Sequence, residues 1–248
     1  MKFDLISDVH LDECEHSPER AADEVIPDAP SDILVFAGDF GFDDVRNERF
    51  MRRLGETYET ILTVHGNNDN GSRWEAAKAH YERLEGILHS MEGVHSLHYA
   101  PVTVNGITFL GSPIFFDGES LMKHHGATEG DILAEWEKRG LADKHGGVID
   151  DPITWARREK ERLLSLIGEA DVIVTHGPPD YFLKNSVPSF GFFHFDGESF
   201  KERIQGKAWC YGHHHKRSFA EKYGCRFYNA TYKGSVEKKA FTIDVNPY

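Results

Sequence analysis

The chain has 248 residues, 40% hydrophobic and 12% aromatic, enough for one large α/β domain or two small ones. Its formal net charge of −13 argues against electrostatic, sequence-independent binding to nucleic acid, which needs a basic face. Cys14, Cys210 and Cys225 lack CxxC or zinc-finger spacing, Asp4 and Asp8 interrupt any signal-peptide core, and no apolar run reaches membrane-span length, so a soluble cytoplasmic protein is expected.

Short apolar runs ending in polar or glycine-rich turns read as buried strands at "KFDLIS" (2–7), "DILVFAGD" (32–39) and "TILTVHGN" (60–67). Helical periodicity follows over 43–54 and 72–88, and "VTVNGITFLG" (102–111) reads as a hairpin turning at Asn105-Gly106. The weakly patterned stretch 116–151 reads as an insertion, a partly helical cap on a single domain spanning 1–248. A helix over 152–168 opens on Pro152 and stops at Gly168, followed by strands at "DVIVTHG" (171–177) and "KAWCYGH" (207–213). Between them lies "SFGFFHFDGESF" (189–200), readable as a pocket wall or as a loop burying its phenylalanines. The tail, 226–245, looks like two strands around a Gly234 turn. Strands that alternate with helices and then follow one another indicate a layered α/β protein with a mixed sheet or two packed sheets.

Chemistry collects where the strands end. Asp8-Val9-His10, Gly38-Asp39, Gly66-Asn67-Asn68-Asp69, His176-Gly177 and Gly212-His213-His214-His215 each follow an apolar run. In α/β sheets ligands bind at that edge. In an extended chain residues i and i+2 share a face, so Asp8 and His10 should converge, as should His213 and His215, with His214 turned away. Carboxylate, imidazole and amide donors without thiolate suit manganese, iron, zinc or magnesium. Seven candidates are too many for one ion and about right for two, with Asp39 able to bridge.

In order, these five motifs resemble the DxH, GD, GN, H and GHxH signature of the calcineurin-like metallophosphoesterases, over residues 8 to 215. The resemblance implies an α/β fold of four layers, an αββα sandwich of two mixed β-sheets flanked by helices. It implies that Asp8, His10 and His215 hold a first metal, Asn67, His176 and His213 a second, and Asp39 bridges them. The implied cofactors are two divalent ions, manganese favoured, and the implied reaction is phosphate-ester hydrolysis by a metal-bound hydroxide. Two such cations against two carboxylates and one hydroxide leave a local charge of about +1, so an acidic chain can still attract a small phosphorylated substrate.

Two departures stand out. Asn68 occupies a position where many members carry a His that serves the leaving group. An amide cannot supply a proton near pH 7. Losing a general acid costs roughly 10²–10⁴-fold on poor leaving groups, so a phosphodiester or phosphoanhydride is expected over an alkyl monoester. His125 or His194, reaching in from a loop, is the alternative. Phe42 stands where an Asp often orients that His. Asp69 could position Asn67 or a ligating His, and Arg73 could meet a phosphate oxygen. Asp39, Asn68 and Asp69 are therefore the catalytic candidates, with Asn68 and Arg73 for substrate. A phosphomonoesterase or protein phosphatase and a DNA-processing nuclease are the competing enzyme readings. A non-catalytic scaffold would lack ligands, and all seven are present.

Overall fold

The computed structural model describes residues 1–69, 77–139, 149, 151–182 and 193–245. Strands and helices first alternate as β1 (Lys2–Ile6), α1 (Pro18–Val25), β2 (Ile33–Ala37), α2 (Asp44–Gly55), β3 (Thr60–Val64), α3 (Ala77–His89) and β4 (Val94–Ser96). Then come the hairpin β5 (Val102–Val104) and β6 (Ile107–Ser112), and the helices α4 (Glu119–His125), α5 (Glu129–Lys138) and α6 (Pro152–Leu166). The chain closes with β7 (Val172–Thr175), β8 (Ala208–Tyr211), β9 (Ser218–Lys222), β10 (Cys225–Asn229) and β11 (Phe241–Asp244). One sheet has the order β11-β1-β2-β3-β4 and the other β5-β6-β7-β8-β10-β9. Both are mixed: β11, β5 and β9 are antiparallel edges on otherwise parallel cores.

Side-chain alternation along these strands builds the layers. Phe3 and Leu5 of β1, Val35 of β2, Val172 and Val174 of β7, and Ala208 and Cys210 of β8 interdigitate between the two sheets. The opposite faces meet helices. Ile6, Leu34 and Phe36 pack on Val25, Phe50, Leu54 and Leu84 from α1 to α3. Ile173 and Trp209 pack with Leu121, Ile132, Trp136 and Leu163 from α4 to α6. The result is the expected four-layer α/β sandwich, helices outside and two sheets within.

Several elements differ from the sequence reading. Residues 226–245 do not form one two-stranded unit. β10 pairs with β8 and β9 in the second sheet, whereas β11 returns to β1 in the first. The hairpin partner of β10 is β9, a polar edge strand that leaves Phe219 exposed. α1 also escaped the periodicity, although Ser17 caps it by accepting from Arg20 N–H (3.3 Å), with Pro18 at its first position. Within 116–151, α4 and α5 supply the helical part and bury Leu121, Ile132 and Trp136 in the outer cluster of the second sheet. Residues 140–148 and 150 of that segment lie outside the described residues. No helix among the described residues is long and apolar enough to cross a membrane.

Candidate metal centre

Each polar motif begins where a strand stops and the backbone leaves the extended region. Six described non-glycine residues have positive φ, and four of them are candidate ligands: Asp8 (54°), His10 (48°), Asp39 (61°) and His213 (65°). A left-handed conformation costs an L-residue about 1–2 kcal/mol, and persists where its surroundings over-determine it. Strand alternation is therefore not what groups Asp8 with His10, or His213 with His215. β1 ends at Ile6 and β8 at Tyr211, and both motifs sit on tight turns beyond them.

Hydrogen bonds sew those turns together. Asp8 N–H donates to Gly38 O (2.9 Å), His10 N–H to Asp39 O (3.2 Å) and Gly212 N–H to His176 O (2.8 Å). The Asp8 carboxylate accepts His213 N–H at 3.0 Å. A Cβ on Gly66 would fall 2.1 Å from Asp39 Oδ1, and one on Gly38 (φ 87°) 2.6 Å from Gly66 N, so backbone meets backbone where only glycine fits. Asp69 fastens this contact. Its buried carboxylate accepts N–H bonds from Asp39 (2.7 Å), Phe40 (2.8 Å) and Gly66 (2.7 Å). It thus holds the two loops together through backbone groups, and not by positioning Asn67 or a histidine ring.

The side chains converge from both sheets. His10 Nε2 lies 3.3 Å from His215 Nε2 and 3.4 Å from Asp39 Oδ2, and His215 Nε2 lies 3.6 Å from Asp8 Oδ1. On the other side of Asp39, His176 Nε2 lies 3.5 Å from Asp39 Oδ1, 3.0 Å from Asn67 Oδ1 and 3.2 Å from His213 Nδ1. Asp39 thus turns one carboxylate oxygen to each group. Asp8, His10 and His215 bring ligand atoms within 4.8 Å of one another, as do Asp8, Asp39 and His176.

This donor set fits metal ions. Ligands at about 2.1 Å from one ion stand about 3.0 to 3.4 Å from each other, close to the spacings found here. His176 Nδ1 faces Ala37 O at 2.8 Å, which makes Nδ1 the donor and turns Nε2, the nitrogen that a proton or a metal ion would take, into the group. Facing lone pairs and carboxylate oxygens repel unless a cation lies among them. The local electrostatics agree. Burial alone would raise the Asp39 carboxyl, but the imidazoles of His176 and His10 outweigh it and hold it well below the usual carboxylate range. Burial lowers His176, yet Asp39 overrides that and lifts it to about 9. Burial and His176 together push His213 well below its ordinary value. The proximity of His176 and His213 thus favours charge on only one ring.

The other candidates fall as follows. Asn68 donates its backbone N–H to Asp39 Oδ1 (2.8 Å) and its amide to Asp39 Oδ2 (2.7 Å), so it buttresses the central carboxylate. Phe42 is half-buried with its ring 6.5 Å from that of His80. His125 is exposed at the end of α4, beside a cavity lined by Ile132 and Glu135. His194 is buried with its ring 4.5 Å from that of His214, and burial and His194 lower His214 to about 4. Arg73 lies outside the described residues, as do 189–192 of the aromatic stretch.

Two contributors were not singled out from sequence. Asn229, at the end of β10, donates to the carbonyls of Gly212 (3.1 Å) and His214 (3.0 Å) and so holds the histidine turn. As a polar residue closing an apolar run, it carried the same signal as the others. Phe115 places its ring 5.8 Å from that of His213. Nothing in its local pattern distinguishes it from a core residue.

Comparison with known proteins agrees with this geometry. The family model for calcineurin-like phosphoesterases matches residues 1–217. Among solved structures, the phosphopantetheinyl hydrolase PptH from Mycobacterium tuberculosis superposes with a TM-score of 0.77 at 17% identity, covering 99% of this chain and 96% of that one. A putative 5′-nucleotidase from Staphylococcus aureus gives a TM-score of 0.45 at 13% identity, with 92% of this chain and 48% of that chain covered. No curated protein sequence matches significantly. The fold of the first and the family match over residues 1–217 lead to one assignment: the chain belongs to the calcineurin-like phosphoesterases.

Proposed function

We propose that the protein is a phosphoesterase that uses two divalent ions to hydrolyse a small phosphodiester or phosphoanhydride. The observation that carries this reading is the division of Asp39, with Oδ2 3.4 Å from His10 and Oδ1 3.5 Å from His176. Asp8, His10 and His215 would hold one ion and Asn67, His176 and His213 the other. The oxygen, imidazole and amide donors suit manganese, iron, zinc or magnesium, and we favour manganese. When bound, two such ions lower the pKa of a water and neutralise charge on the phosphoryl group.

The chain's own residues then set the specificity. Asn68 spends its amide on Asp39 and has no proton to give a departing alkoxide. A substrate whose leaving group needs no proton, such as an aryl oxide or a pyrophosphate, suits that site. The acidic chain disfavours a nucleic-acid polymer, and the proposed setting is the cytoplasm, where Cys14, Cys210 and Cys225 remain free thiols. Residues 116–151 are read as a cap on this single domain.

The test is a substrate panel with metal-loaded protein: p-nitrophenyl phosphate, bis-p-nitrophenyl phosphate and an alkyl monoester. The diester should turn over fastest. An alkyl monoester in first place would contradict the reading.

A further inference from the structure

In the aromatic segment before the histidine turn, the three described phenylalanines are placed unevenly. Phe195 and Phe200 are fully buried in the outer core of the second sheet. Phe193 is 38% exposed, yet its ring centroid lies 5.0 Å from that of His213, with 41° between the planes. An exposed phenylalanine forfeits transfer free energy that burial would return. A loose tail could leave such a ring in water by default, but the residues that follow it are firmly held.

The anchoring is explicit. Phe195 N–H donates to Pro178 O (3.3 Å) and Asp180 N–H to Phe195 O (2.8 Å). Asp196 N–H donates to Asp117 Oδ2 (2.8 Å) and Gly197 N–H to Asp180 Oδ1 (3.0 Å). The buried Lys160 ammonium lies 3.0 Å from Asp117 Oδ2 and 3.5 Å from Asp196 Oδ2, clamping the segment to the loop after β6. That same loop carries Phe115, whose ring backs His213 at 5.8 Å. Among the described residues, two phenyl rings thus border one candidate ligand, Phe115 buried and Phe193 open to solvent.

We propose that Phe193 is a specificity-determining residue, a platform on which a planar aromatic substituent of the phosphate ester stacks while its phosphoryl group sits at the metal centre. This rests on the metallophosphoesterase reading above and names its substrate class. Asn68 supplies no proton, which favours stabilised leaving groups, and aryl esters combine such a leaving group with a flat apolar face. Offset stacking of an aryl or nucleobase ring on a phenylalanine is favourable and tolerant of the ring's identity, because every such ring has a π-face.

The experiment is calorimetric binding of phenylphosphonate and methylphosphonate to manganese-loaded protein. They share the anionic head and differ in the ring. Wild type should bind phenylphosphonate roughly tenfold tighter than methylphosphonate. In Phe193→Ala that ratio should fall to about two or less, with methylphosphonate affinity within about twofold of wild type, and Phe193→Tyr should restore the ratio. A ratio unchanged by Phe193→Ala would overturn the proposal. Failure of both phosphonates to bind would instead overturn the metallophosphoesterase reading, and this proposal with it. Uridine 5′-phosphate against ribose 5-phosphate identifies the ring's source. A preference that vanishes in Phe193→Ala assigns a nucleobase, and equal binding in wild type assigns a simple aryl ester.

Discussion

His213, His214 and His215 are neighbours in the chain, but their rings face three ways. His213 Nδ1 approaches His176 at 3.2 Å, His215 Nε2 approaches His10 at 3.3 Å, and the His214 ring packs 4.5 Å from His194. His213→Ala and His215→Ala should each cost metal affinity and roughly 10²-fold or more in activity, whereas His214→Ala should keep both within a few-fold. Metal analysis and turnover on the three variants check this, and equal losses from all three would contradict the division. The grouping was legible from residue type and position at strand ends. Its geometry was not, because left-handed backbone at Asp8, His10, Asp39 and His213 is imposed by tertiary hydrogen bonds and no local propensity announces it. Asp69 was legible as a partner of the site but not as the clamp on Asp39, Phe40 and Gly66, since backbone acceptors and donors leave no mark in a sequence.

Elements that bury apolar side chains at period 2 or 3.6 could be read from sequence almost to their ends, as β1, β2, β3, α2 and α6 show. β9 could not, because an edge strand exposed to water needs no apolar alternation. Nor could the crossing of 230–240 from one sheet to the other, because strand partnership over such a distance is decided by packing. α6 makes a prediction at this scale through Glu159. Its carboxylate accepts from Ser112 Oγ at the end of β6 (2.7 Å) and faces Arg162 (3.1 Å) and His98 (3.5 Å). Burial raises the Glu159 carboxyl, but His98, Arg162 and Ser112 overcome it and bring it from 4.5 down to about 2. A depressed pKa gives stability that is present above about 4.5 and lost as the pH falls through about 2. Glu159→Gln should therefore be less stable by about 3 kcal/mol at pH 7, with the gap narrowing between pH 4.5 and pH 2. Denaturant melts across that range check it, and a gap that stays constant would contradict it.

At the scale of the molecule, two sheets packed face to face bring the ends of β1, β2 and β3 against those of β7, β8 and β10, and the candidate metal centre lies where they meet. No single sheet supplies it: Asp8, His10, Asp39 and Asn67 come from one, His176, His213 and His215 from the other. The order of strands and helices indicated only a layered α/β protein with one mixed sheet or two; the four layers and the residues of the site followed from the resemblance carried by the five motifs. The wall beside His213 was legible only in part: 189–200 could be read as a pocket wall or as a buried loop, and nothing in the sequence separates Phe193 from Phe195 or marks Phe115 apart from a core residue. A net charge of −13 on the whole chain is compatible with a phosphate substrate where bound cations reverse the sign locally, so the two-ion proposal expects metal loading and turnover to rise and fall together. Asp39 is the residue through which both ions would be held. The decisive measurement is metal content and diester turnover on one sample of Asp39→Asn beside wild type. Two ions per chain in wild type, with fewer in the variant and a loss of turnover of roughly 10²–10³-fold or more, is the predicted result. Undiminished turnover in Asp39→Asn, or full wild-type activity with a single ion bound, would contradict it.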